Sequence, residues 1–177
     1  VGYSFSWFSA MAARASQPER ALEYLKTYER AFIGPNGFHL NGDQTRSGLS
    51  GFTYRPFTLE GNFLAMQAVH EMLLQSWGGV VRVFPATSHA WQDASFDRLR
   101  AEGGWVVSAE RKAGRTVRVE IRATTGGLLR LRDPFGDGPV DWNRRDVTRA
   151  GTDYVAKLGP GDVLVATARW GCGGRDW

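Results

Sequence analysis

The hydrophobic period of this chain changes once, at Gly78-Gly79, and that change limits what the chain can fold into. Before it, apolar residues recur every three or four positions, the spacing of one helical face. After it they recur every second position, the spacing of a half-buried strand. Residues 1–15 carry Tyr3, Phe5, Trp7, Phe8 and Met11 among alanines, which predicts a helix apolar on more than one face and therefore buried. Ser16 reads as an N-cap and Pro18 as a first-turn residue, predicting a second helix from Pro18 to Phe32 that stops at Gly34-Pro35. Ala21, Leu22, Leu25, Tyr28 and Phe32 line its inner face.

The third helical stretch, residues 54–77, is approached through Pro56, which favours extended backbone at Phe57. Thr58 is the expected N-cap. The apolar face is read as Leu59, Phe63, Met66, Val69, Leu73 and Trp77, and Gly78-Gly79 as the stop. A glycine in a first helical turn costs about 1 kcal/mol relative to alanine, so Gly61 predicts a close approach by another group.

Strands are expected at residues 80–84, 95–102, 105–111, 116–123, 128–132, 142–147, 153–157 and 162–169. Lys112-Ala113-Gly114-Arg115 marks one hairpin and Gly126-Gly127 a second. The domains are then residues 1–77, helical, and residues 78–177, an antiparallel β-sandwich, giving an α+β chain with no internal repeat. At 42% hydrophobic and 23% charged, the chain can bury a core. It begins with Val inside a helix, which reads as a piece of a longer chain.

The net charge of +4 raises nucleic-acid binding. However, Arg118, Arg122, Arg130 and Arg132 alternate with apolar residues and mix with Glu102, Glu110 and Glu120, as on the outward face of a sheet. No nucleic-acid partner and no membrane partner is expected. The one cysteine, Cys172, gives neither an internal disulfide nor a metal cluster.

Candidate site residues gather before the third helix. The loop at residues 34–57 holds Phe38, His39, Asn41, Asp43, Gln44, Arg46, Phe52, Tyr54 and Arg55. Such a mixture suits saccharides, because aromatic faces cover sugar C–H surfaces while carboxylates and amides bind hydroxyls. An ordinary surface loop is the alternative, weakened by the aromatic residues it would expose. His39 has no second histidine at metal-ligand spacing. Glu60 has two readings: a solvated acid complementing the helix dipole, or one of a group with Tyr54, Arg55 and Asn62 at a pocket mouth. Trp77, Trp91 and Trp105 read as packing residues.

The blocks Leu59–Phe63 (LEGNF), residues 71–76 (EMLLQS), residues 80–86, Ala90-Trp91 and residues 98–105 resemble, in order, motifs of glycoside hydrolase family 95. The opening GYSFSWFSAMAARASQPERALEYL is similar to the helix preceding them. The resemblance runs to about Arg132. It implies the last helices of a six-hairpin α/α toroid followed by a β domain, and an inverting α-L-fucosidase or related enzyme. Glu60 stands at the position of the motif aspartate that activates water. Tyr54, Arg55 and Leu64 replace the family's His, Pro and second Gly. On the resemblance Glu60 is catalytic, and Tyr54, Arg55, Asn62, Asp43 and His39 bind substrate. No metal or organic cofactor is implied. The partners are an oligosaccharide or glycan substrate and the missing N-terminal part of the same chain, which supplies the general acid. An extracytoplasmic location follows from the family. A non-catalytic carbohydrate-binding or scaffold fragment is the alternative.

Overall fold

Residues 1–52 and 55–169 are described in the computed structural model, so Tyr54 and Cys172 lie outside the described residues. The chain is α+β, with three helices followed by antiparallel sheets. It divides into two units. The first is residues 1–73 with Pro85–His89, and the second is Leu74–Phe84 with the chain from Ala90 on.

In the first unit, α1 is Gly2–Arg14, α2 is Pro18–Phe32 and α3 is Leu59–Leu73. The turn between α1 and α2 departs from the sequence reading. Ser16 is not the N-cap of α2. It sits at φ +56° and closes α1, with Ser16 N donating to Ala13 O and Gln17 N to Ala12 O. This is a Schellman closure, which satisfies carbonyls that the last helical turn leaves over. Gln17 caps α2 without a side-chain hydrogen bond.

The larger departure is in which faces are buried. α1 buries Gly2, Ser6, Ser9, Ala10, Ala12 and Ala13, and α3 buries Gly61, Ala68, Glu71 and Met72. The expected apolar face of α3 points outward instead, with Phe63 62% and Met66 69% exposed. The reason is separation. Small residues on both helices let backbones approach closely, as in Ser6 Oγ donating to Gly61 O at 3.2 Å. Large side chains on those faces would hold the helices apart. Glu71 is 5% exposed and forms an ion pair with Arg14 at 2.8 Å. On α1, Tyr3, Trp7, Phe8 and Met11 are 40–52% exposed. The helical unit therefore shows large apolar side chains outward on two helices. Among the described residues no helix is long and apolar enough to cross a membrane.

α3 ends at Leu73, not at Trp77. Residues 74–75 pair as a short strand, β1 (Leu74–Gln75), with β2 (Arg82–Val83). Trp77 is 42% exposed, stacked under the Arg82 guanidinium at 3.9 Å rather than packed as core.

The second unit holds β3 (Ala94–Ala101), β4 (Trp105–Lys112), β5 (Arg115–Ala123), β6 (Gly127–Arg132), β7 (Val140–Trp142), β8 (Thr148–Ala150), β9 (Asp153–Leu158) and β10 (Val163–Ala168). Five strands order β3-β4-β5-β10-β7 and three order β6-β9-β8, all antiparallel neighbours. The arrangement is compatible with a β-sandwich. Trp105, Val107, Ala109, Val119, Ile121, Ala123, Leu164 and Ala166 are buried in the larger sheet, and Leu129, Leu131, Ala156 and Leu158 in the smaller.

The β4–β5 hairpin forms as expected, with Lys112 opposite Arg115. Ala113 and Gly114 turn at φ +46° and +76°, the left-handed pair a two-residue turn needs. The expected second hairpin does not form. β6 pairs with β9, not β5. The chain passes from the larger sheet to the smaller at Gly126, where φ is +77° and Leu158 O lies 2.8 Å from where a Cβ would be. The arginines of β6 are paired on the outer surface, with Arg130 and Arg132 at 2.7 and 2.6 Å from the buried Asp153.

Candidate functional site

The long loop before α3 is folded around two buried polar residues. His39 is fully buried. Its backbone N donates to Asn62 Oδ1 at 2.7 Å, and Asn62 Nδ2 donates to Gly37 O at 2.9 Å, so Asn62 ties the loop to α3. The His39 Nδ1 lies 2.8 Å from both Thr58 O and Thr58 Oγ1. With the proton on Nδ1 it donates to the carbonyl, and Nε2 is left a buried acceptor with no partner among the described residues. The expected N-cap hydroxyl of Thr58 thus serves His39.

The ring is clamped. A Cβ at Gly61 would sit 2.4 Å from Nδ1, and one at Gly2 would sit 2.4 Å from Nε2. The close approach that the glycine at 61 implied is the His39 ring.

Asp43 is the second organiser, 1% exposed. Oδ1 accepts from Thr45 N and Thr45 Oγ1, and Oδ2 from Ser47 N, Ser47 Oγ and Leu49 N. The Thr45 hydroxyl, chiefly, with the other donors, holds its carboxyl down at about 2. Arg55 is exposed and its Nε donates to Gln44 Oε1 at 3.1 Å. The structure therefore brings His39 and Asn62 together, and Arg55 to the residue beside Asp43. Tyr54 lies outside the described residues.

Glu60 differs from all of these. It is exposed on the first turn of α3, and its carboxylate accepts no hydrogen bond and forms no ion pair among the described residues. Exposed apolar side chains lie beside it in sequence, Phe57 at 57%, Leu59 at 38% and Phe63 at 62%. Phe38 and Phe57 form a tilted ring pair at 5.4 Å, both exposed. Among the described residues no three His, Cys, Asp or Glu side chains converge as a metal site.

The buried groups set an expected acid response. Burial lowers the His39 pKa from its ordinary 6.5, as does the Val1 amino group, against raising effects of the Thr58 carbonyl and Glu60. The folded state thus favours neutral His39, and below about pH 6.5 the unfolded chain takes the proton first. Stability of the helical unit should fall as pH drops below 6.5 and level off once folded His39 also protonates. A second loss should follow between 3.8 and about 2, as Asp43 protonates. Thermal melts across pH should show both steps, and His39→Gln should remove only the upper one. A flat profile between pH 7 and 5 would show that His39 is not held neutral.

No protein-family model and no curated protein matches this chain. Solved structures similar in part include two glycoside hydrolases. One is a family 39 glycoside hydrolase from the gut symbiont Bacteroides cellulosilyticus WH2, at 14% identity and a TM-score of 0.35, over 66% of this chain and 21% of that one. The other is a GH127 β-L-arabinofuranosidase from Geobacillus stearothermophilus T6, at 15% identity and a TM-score of 0.35, over 94% and 31%. Both are glycoside hydrolases, and this chain spans a third of their length or less. Similarity at this level assigns no activity.

Proposed function

We propose that this chain is the C-terminal part of an inverting glycoside hydrolase, acting on an α-linked L-fucoside or related sugar in a glycan. One observation carries the reading. Of the polar residues in the loop and first turn of α3, His39, Asp43 and Asn62 are spent holding the loop, while the Glu60 carboxylate is uncommitted among the described residues. Inversion needs one carboxylate to activate water and a carboxylic acid on the other side of the scissile bond, the two about 6.5–9.5 Å apart. Glu60 is the water-activating group, and Arg55 and Tyr54 bind sugar hydroxyls. His39, Asp43 and Asn62 serve the site by shaping the loop that carries them. The acid comes from the preceding part of the same protein. Further helices of that part, the earlier hairpins of an α/α toroid, cover Tyr3, Trp7, Phe8 and Met11 of α1. Apolar exposure on that scale is uncommon on a finished surface.

The test is hydrolysis of α-L-fucosides by the longer protein, followed by NMR of the first-formed anomer. Release of the β-anomer supports the reading, and release of the α-anomer overturns inversion. Glycan binding without any hydrolysis would favour the alternative, a non-catalytic carbohydrate-binding fragment using the exposed Phe38–Phe57 pair.

A further inference from the structure

A cavity of about 340 Å³ lies wholly within the β unit. Its walls come from the end of β4, the start of β5 and the Pro134–Gly138 loop after β6. The residue that singles it out is Arg111. Along β4 the inward positions are Trp105, Val107 and Ala109, each buried, and Arg111 is next in that phase. An arginine therefore occupies a position whose period calls for an apolar side chain. It is half-buried, its Nε is fully buried with no acceptor, and it forms no ion pair among the described residues. Burial alone pushes its pKa down, with no neighbouring charge contributing. A guanidinium stays charged in a protein, and the Nε of this one is taken from water without an acceptor among the described residues.

The strand opposite is rebuilt at the same point. Glu110 pairs with Arg118 but Arg111 pairs with Thr116, so Val117 is an extra residue, a β-bulge. The bulge changes the phase of β5. Val119, Ile121 and Ala123 are its buried odd positions, yet Thr116, an even one, is 3% exposed. Bulges are over-represented beside sites because they re-aim side chains. Here the bulge sets the Thr116 hydroxyl beside Arg111, and that hydroxyl makes no hydrogen bond among the described residues. Arg115 stands at the exposed rim and Asp137 on the facing loop, with Pro134 and Phe135 as an apolar wall.

We propose that this cavity is a binding site for the carboxylate of a hydroxylated acid, a sugar acid of uronate type. Arg111 and Arg115 take the carboxylate, Thr116 and Asp137 take hydroxyls, and the Pro134–Phe135 wall meets the C–H face. Guanidinium pairs carboxylates with two parallel hydrogen bonds, which fits a planar acid. Asp137 needs hydroxyl donors and repels a bare dianion. The volume equals that of about ten waters at roughly 30 Å³ each, more than one inorganic ion fills. It falls at the lower end of small-molecule sites, about 300–1,000 Å³. The site shares no residue with the Glu60 region and stands whatever the outcome there.

The experiment is calorimetric or saturation-transfer titration of the chain with D-glucuronate, with D-glucose as the uncharged match and sulfate as the bare anion. Saturable binding of glucuronate, with glucose and sulfate each at least about tenfold weaker, is expected. Arg111→Met should abolish binding with the fold retained by circular dichroism. If Arg111→Met does not fold, Arg115→Gln at the exposed rim decides, and it should weaken glucuronate by at least about tenfold. Equal binding of sulfate would reduce the cavity to a general anion site. No saturable glucuronate binding, or binding unchanged in Arg115→Gln, would overturn the proposal.

Discussion

Replacing Glu60 by Gln is expected to lower kcat of the longer protein on its glycoside by at least about 10²-fold, with less change in KM. That is the scale of lost general acid–base assistance. The structure makes this test clean. Glu60 is exposed and its carboxylate bonds to nothing among the described residues, so removing its charge costs little packing. Its structural contributions are to the dipole of α3, about 0.3–1 kcal/mol, and to the electrostatics of His39, where it is the smallest of the effects on that pKa. Melting of Glu60→Gln should therefore lie close to that of the parent. Turnover lost with stability retained marks a group that acts on substrate. Near-normal turnover on the true substrate would make Glu60 a helix-end acid and nothing more. Loss of both would move the explanation to folding. Glu60→Asp restores the aspartate of the resembled motif and retracts the carboxylate by one methylene. Partial activity there would show that reach, as well as charge, is set by this position.

The second large effect concerns stability, and its sign opposes the usual rule. Gly→Ala inside an exposed helix gains about 1 kcal/mol. At Gly61 it should instead destabilise. The new Cβ would lie 2.4, 2.5 and 2.8 Å from Nδ1, Cγ and Cε1 of His39. The ring cannot retreat, because its Nε2 edge already lies against Gly2, beside Phe32. Overpacking of this kind costs about 1–3 kcal/mol. For a unit of this size that corresponds to a fall in Tm of about 4–8 °C per kcal/mol. His39→Ala combined with Gly61→Ala should cost less than the sum of the two, because loss of the ring removes the clash that the new Cβ at residue 61 creates. A Gly61→Ala protein more stable than the parent would show that the ring is not clamped.

What the sequence determined by itself was the order and kind of the elements. The change of period told helices from strands, although α3 ends at Leu73 and β1 begins at Leu74, ahead of Gly78-Gly79. The two-residue turn at Ala113-Gly114 set the Lys112–Arg115 pair from which the β4–β5 ladder starts. Proline at residue 18 placed the start of α2, and the first-turn glycine at 61 announced a close neighbour without naming it. These are local properties, written in spacing and backbone permission. Tertiary structure decided what no local rule contains. Which side of α3 faces inward depended on how closely α1 could approach, so Gly61 and Ala68 were buried and Phe63 and Met66 left outside. The partner of β6 depended on the crossing at Gly126, not on the turn signal. At the site, His39, Asp43 and Asn62 looked alike with Glu60 as polar residues near an aromatic loop. Only the hydrogen bonds separated three that hold the loop from one that is uncommitted. Arg111 was legible as an arginine in an inward phase. That it lies half-buried, with no ion pair among the described residues, opposite a bulge that pairs Thr116 with it, came from sheet register, because register belongs to two strands and not to either one.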